Sequence, residues 1–258
     1  MTDLPRNPFK QALKEGRVQL GLWSMLPDPF IAEMLAETGY DWILLDTEHS
    51  PSDLRIVASQ LQATRGTSSH MVVRPPVNDP VIIKRFLDIG AQSLLLPMVN
   101  TAEEARAAVA ATRYPPEGIR GVAGTTRASR YGKVEGYAAR AAEEICVLVQ
   151  AETRRALEQL EEIAAVEGVD GIFIGPADLA ASMGFPGQPT HPEVMDVIED
   201  ATARIVAAGL PAGILTFNAD LIRRVTARGA QFVAVGVDMS LLQASAEQLA
   251  HSFSDLKK

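Results

Sequence analysis

Apolar residues along this chain of 258 arrive in two alternating rhythms. Short, nearly continuous apolar runs at 18–24, 40–46, 70–76, 93–99, 144–152, 169–175, 210–216 and 231–238 predict eight strands. Several lack polar alternation, as strands do when helices cover one side and a packed interior the other. Between them, apolar residues at helical spacing predict helices at 28–39, 79–90, 101–114, 153–168 and 218–230. Many of these open with Asp, Asn, Thr or Pro and close with Gly, as helix caps require. The phrases ETGYDWILLD, LDIGAQSLLLP and ARGAQFVAVG repeat one order: helix end, glycine, strand.

Eight such units without an antiparallel interruption imply a parallel sheet closed into a (β/α)8 TIM barrel of the α/β class. An open doubly wound sheet is the alternative. The length suits one barrel, so residues 1–258 are expected to form a single domain. A helix at 7–16 precedes the first strand and is placed to cap the barrel bottom. The stretch 114–142, with PPEGIRGVAGTTRASRYGK, is too long for a simple connection, and long connections are usually functional or interface-forming.

Composition narrows the function classes. The net charge of −8 would repel phosphates, and no Lys/Arg cluster offers them a footprint, so nucleic acid is not expected as a partner. One cysteine, Cys146, cannot form an intramolecular disulfide. No apolar run approaches a membrane span, and the N-terminus has no apolar signal region. A soluble, cytoplasmic protein without membrane contact is the expectation.

Reactive residues of a barrel lie at the C-terminal ends of its strands. Those positions hold Trp23, Asp46 and His49, Arg74, Gln150 and Glu152, Asp178, and Asp238. Gln150 and Glu152 are two apart, so they share one strand face with Cys146 and Leu148, while Val147 and Val149 take the other. Glu152 and Asp178 would then reach one small volume from neighbouring strands. Two such anions raise each other's pKa unless a cation lies between them, and oxygen ligands suit Mg²⁺, Mn²⁺ or Co²⁺. Both acids are equally readable as caps of the helices that follow. Arg74 is placed to hold a carboxylate or enolate oxygen, or to form a structural ion pair. His49 is the one histidine of four at a strand's C-terminal end and suits a general base, with Asp46 or another acid fixing its tautomer. None of the six lysines lies on an expected strand, which argues against Schiff-base chemistry. GIRGVAG follows no strand directly and is not a nucleotide fingerprint.

In the stretches GLW (21–23), DWILLDTEHSP, VVRPPVNDP, LLLPMV, RYPPEGIRGV, CVLVQAET, VEGVDGIFIGPADLAASMG, HPEV and FVAVGVD, the chain resembles the class II pyruvate aldolases of the HpcH/HpaI family. These stretches span nearly the whole chain in order. The resemblance implies a homo-oligomeric, hexameric TIM barrel that exchanges its last helix between subunits. Implied too is cleavage of 4-hydroxy-2-oxo acids to pyruvate and an aldehyde with a divalent metal ion. By resemblance, Glu152 and Asp178 are metal ligands, Arg74 stabilises the enolate oxygen, and His49 is the base. Gln150 and the Ala177 backbone contact the pyruvyl part, Trp23 and Leu215 line the pocket, and Asp88 reaches a neighbouring subunit's histidine. Where the family often has DGEH, this chain has DTEH (46–49), which bears on the local loop. A 2-keto-3-deoxy-sugar-acid aldolase would share all these residues. A CoA-ester lyase would need a basic groove that is not visible, and a scaffold protein would have no use for two adjacent acids at a barrel mouth.

Overall fold

The computed structural model describes residues 3–257. Eight parallel strands pair in chain order and close into a barrel, the eighth returning to the first. They are β1 (Gln19–Ser24), β2 (Trp42–Asp46), β3 (His70–Arg74), β4 (Ser93–Leu96), β5 (Cys146–Ala151), β6 (Gly171–Ile174), β7 (Ala212–Leu215) and β8 (Phe232–Val237). Each expected run contains its strand, and closure rules out the open doubly wound sheet.

The helices, in order, are α1 (Pro8–Lys14), α2 (Pro29–Ala36), α3 (Leu54–Ala63), α4 (Pro80–Asp88), α5 (Ala102–Thr112) and α6 (Tyr137–Glu144). They continue with α7 (Arg154–Glu158), α8 (Leu160–Ala164), α9 (Pro176–Ser182), α10 (Pro192–Ala207), α11 (Ala219–Ala227) and α12 (Asp238–Ser252). The helix expected over 153–168 is two pieces, because Gln159 leaves helical geometry at φ −109°, ψ 15°. Asp28, Asp53 and Asp79 each cap their helix by accepting two backbone N–H groups, which would otherwise lack partners.

Alternation along the strands separates two apolar layers. Cys146 and Leu148 of β5 face the barrel interior with Leu44, Val72, Phe173 and Phe232, while Val147 and Val149 pack under the helices. The lower interior is aromatic, with Phe232 edge-on to Trp42 at 6.2 Å between ring centres. A Cβ on Gly21 would lie 2.1 Å from the Trp42 ring, and one on Gly213 would lie 2.1 Å from Phe232. Glycine there lets each ring cross its neighbouring strand and stay buried, at roughly 1.5–3 kcal/mol per ring for a Phe.

Helix α1 plugs the bottom as expected. Phe9 lies 5.7 Å from Trp42 and stacks on His70 at 5.8 Å, and burial pushes the His70 imidazole down to about 4, so it stays neutral at pH 7. Asn7 donates to Ser93 Oγ (3.0 Å) and the Glu144 carbonyl (2.9 Å), pinning α1 to β4 and α6. At the other terminus α12 leaves the barrel: every residue from 239 to 256 is exposed. Among the described residues no helix is long and apolar enough to cross a membrane.

Candidate active site

Parallel register sets Asp46 beside Arg74 at the ends of β2 and β3. The pair is two-pronged: Arg74 Nε donates to Asp46 Oδ1 at 2.9 Å and Nη2 to Oδ2 at 2.6 Å. Trp23 Nε1, from β1, donates to the same carboxylate at 3.2 Å, and the Glu48 backbone N–H at 2.9 Å. Burial, the largest single influence, would raise the Asp46 pKa, but Arg74 together with the Glu48 and Trp23 N–H groups outweighs it and holds the carboxyl below its ordinary value. The Arg74 guanidinium also lies over the Trp23 ring, 4.9 Å from its centre.

From Arg74 the network runs on to β5. Gln150 Oε1 accepts from Arg74 Nη1 at 3.4 Å, and Gln150 Nε2 donates to Glu152 Oε2 at 2.8 Å. Glu152 Oε1 in turn accepts the Met98 backbone N–H at 2.8 Å, which follows β4 in a left-handed conformation, φ 55°. One continuous chain of polar contacts thus links β1, β2, β3, β5 and the segment after β4.

Glu152 is not a helix cap; Thr153 caps α7. Its carboxyl is buried, which pushes its pKa up to about 7, with the Asp178 and Glu48 charges adding to the rise and the Met98 N–H opposing it. Asp178 stands exposed in the first turn of α9, just after β6, and that helix has no side-chain cap. Gly175 supplies the space for the Glu152 side chain. A Cβ there would lie 2.4 Å from Glu152 Oε2 and 2.8 Å from its Cβ, so only glycine leaves that carboxylate its seat. Among the described residues no three His, Cys, Asp or Glu side chains converge as a ready metal cage. The protein's side chains supply two hard oxygen donors, Glu152 and Asp178, to a volume whose burial and mutual repulsion favour a cation.

The other expected residues distribute unevenly. Ala177 is exposed beside Asp178, and Leu215 at the end of β7 packs half-buried against the interior cluster containing Trp23. His49 is close but loosely held: its side chain is 61% exposed, and Nε2 lies 3.9 Å from Glu48 Oε2. Asp46 does not fix the His49 ring, because its oxygens are taken by Arg74, Trp23 and backbone N–H groups. Asp238 is not a mouth residue with a free carboxylate either. It accepts from Ser24 Oγ (2.8 Å) and from the N–H groups of Met25 (2.9 Å), Leu26 (3.1 Å) and Met239 (2.6 Å), stapling β8 to β1. Asp88 lies at the C-terminal end of α4, away from these side chains, bonded to the buried Arg120 at 2.8 Å. Two residues of the cluster escaped the sequence reading. Gly175 sits in the quoted IGPAD, and Glu48 sits between Asp46 and His49 and pairs with Arg74 Nη1 at 3.0 Å. Burial, then Asp46 and Asp178, lift the Glu48 carboxyl above its usual range against the pull of Arg74 and His49.

Known proteins resemble this chain over its length. It is 57% identical to a pyruvate aldolase of Rhizobium etli, covering 98% of this chain and 99% of that one. It is 54% identical to a 4-hydroxy-2-oxo-heptane-1,7-dioate aldolase of Salmonella heidelberg, covering 98% and 97%. The crystal structure of an HpcH/HpaI aldolase/citrate lyase family protein from Burkholderia cenocepacia superimposes with a TM-score of 0.91 at 38% identity, over 98% of this chain and all of the other. The sequence model of that family matches residues 19–245. With the barrel, its register and this coverage in agreement, the chain belongs to the HpcH/HpaI aldolase/citrate lyase family.

Proposed function

We propose that the chain is a divalent-metal-dependent class II aldolase that reversibly cleaves 4-hydroxy-2-oxo acids to pyruvate and an aldehyde. The observation that carries this reading is the buried Glu152 carboxyl, raised to about 7 beside Asp178 and joined through Gln150 to Arg74. The names of its full-length relatives support it.

Glu152 and Asp178 fit a hard divalent cation such as Mg²⁺, Mn²⁺ or Co²⁺, with ligand and water oxygens completing its shell. When bound, the ion supplies Lewis acidity to the keto group of a 2-oxo acid. Gln150 and the Ala177 backbone orient the pyruvyl end, and Trp23 and Leu215 line the substrate pocket. His49 takes the proton of the 4-hydroxyl. The O–H pair becomes the aldehyde C=O, C3–C4 breaks, and its electrons leave charge on the C2 oxygen. Arg74, aimed by Asp46 before any ligand arrives, stabilises that oxygen. C3 is then protonated to give pyruvate.

The exposed apolar residues of α12, Met239, Leu241, Leu242 and Leu249, with Phe253 just after it, support an oligomer in which this helix packs on a neighbouring subunit. In a hexamer so built, Asp88 would meet the neighbour's histidine. The decisive test is proton NMR of pyruvate in D₂O with chelator-treated protein, then with Mg²⁺ or Mn²⁺ restored. Methyl-proton exchange only with metal is the expected result. Absence of exchange in both states refutes the reading.

A further inference from the structure

We propose that Glu48 is a placeholder: its carboxylate occupies Arg74 Nη1 until a 2-oxo acid arrives, then turns aside and yields that nitrogen to the ligand. This rests on the function proposed above.

The argument begins with the donors of Arg74. Nε and one N–H of Nη2 are committed to the buried Asp46. Nη1 is the one nitrogen that Asp46 does not hold, and it meets Glu48 Oε2 at 3.0 Å and the neutral Gln150 Oε1 at 3.4 Å. A ligand anion that uses Nη1 therefore competes with Glu48.

The Glu48 carboxylate is held by little else. Asp46 accepts from Trp23, Arg74 and two backbone N–H groups, and Glu152 accepts from Met98 and Gln150, whereas among the described residues the Glu48 oxygens meet Arg74 and, at 3.9 Å, His49. Its side chain is 17% exposed, open toward the mouth. The backbone beneath it is firmly tied. Thr47 N and Oγ1 both donate to the Arg74 carbonyl, at 3.0 and 2.6 Å, and Ser50 Oγ donates to the Asp46 carbonyl at 2.6 Å. Release thus needs only rotation of the Glu48 side chain, with no movement of the loop. It also conserves charge, because one carboxylate leaves as another enters a site already crowded by Asp46, Glu152 and Asp178.

A seat occupied most of the time lowers apparent affinity by the fraction of sites left free. For a partly exposed ion pair that amounts to roughly threefold to tenfold. The experiment is calorimetric titration of the Mg²⁺-saturated protein with oxalate, a planar dianion shaped like an enolised 2-oxo acid. Three proteins are compared: wild type, Glu48→Gln and Glu48→Asp, the last keeping the charge but falling one methylene short of Nη1. Both variants are expected to bind oxalate roughly threefold to tenfold more tightly. Unchanged or weaker binding in Glu48→Gln overturns the proposal, since a residue that merely supports Arg74 would loosen the site when lost. Tightening in Glu48→Gln but not in Glu48→Asp also overturns it, reducing Glu48 to a background charge. Failure of the wild type to bind oxalate refutes the aldolase reading instead.

Discussion

Gly175→Ala asks whether the position of the Glu152 carboxylate governs cation binding, since it adds one methyl and changes no charge. At φ −92°, ψ 99° the backbone accepts alanine, so the whole cost is contact. The new Cβ would lie 2.8 Å from Glu152 Cβ, which is fixed to the chain, and 2.4 Å from Oε2, which can rotate away. Rotation gives up the bonds from Met98 N and Gln150 Nε2, both 2.8 Å. At about 1 kcal/mol net for each bond, and roughly 1–3 kcal/mol for overpacking, the expected stability loss is on the order of 3 kcal/mol. For a chain of this size that lowers Tm by about 6 °C. A ligand displaced from its seat should weaken Mn²⁺ binding about 10- to 100-fold. Calorimetric titration with Mn²⁺ and thermal melting in chelator read the two effects. Gly124→Ala, with nothing within 4 Å, is the control. Wild-type Mn²⁺ affinity in Gly175→Ala would show that the carboxylate's seat is irrelevant and refute the reasoning.

Arg74→Ala should depress kcat by about 10²- to 10³-fold; a raised KM with kcat intact would sink its assigned role. Because the folded Glu152 pKa is raised from 4.5 to about 7, its ionised form opposes folding in cation-free protein. That cost is absent below 4.5, grows through the window and is complete above 7, amounting to about 3 kcal/mol. Denaturant unfolding at pH 5 and pH 8 should show this loss in chelator and its removal by saturating Mg²⁺; equal slopes in both would contradict it. Asp238→Asn puts an N–H₂ where Ser24 Oγ and Leu26 N donate, and should cost roughly 1–3 kcal/mol while kcat stays unchanged. A large fall in kcat at full stability would place Asp238 in the chemistry after all.

The barrel was legible because its cause is local. Apolar runs and capped helices alternate along the chain, and each expected run contains a strand. Gln150 and Glu152 were legible as neighbours because strand periodicity fixes their common face. What stayed hidden depends on separations that periodicity does not measure. Asp46 stands three residues from His49 yet spends its oxygens on Arg74, 28 residues away, because parallel register brings those two strand ends level. Gly175 reads as an ordinary residue between strand and helix, and its purpose appears only when Glu152 is seen beneath it. Glu48 is overshadowed in the sequence by the histidine next to it, although an acid between Asp46 and His49 on a strand-end loop is a usable signal. Asp238 looks reactive in the sequence because only the closure of β8 on β1 decides what its carboxylate meets.

The residue that locks this closure is also the first residue of α12. Ser24, 214 positions earlier, is held by the same carboxylate and adjoins Trp23, whose indole N–H reaches Asp46. The projecting helix is therefore a lever with its fulcrum at Asp238. Any tilt of α12 at Asp238 is felt, through the single hydrogen bond to Ser24, by the strand that carries Trp23. The first turn of α12 and the barrel mouth thus hang on one carboxylate.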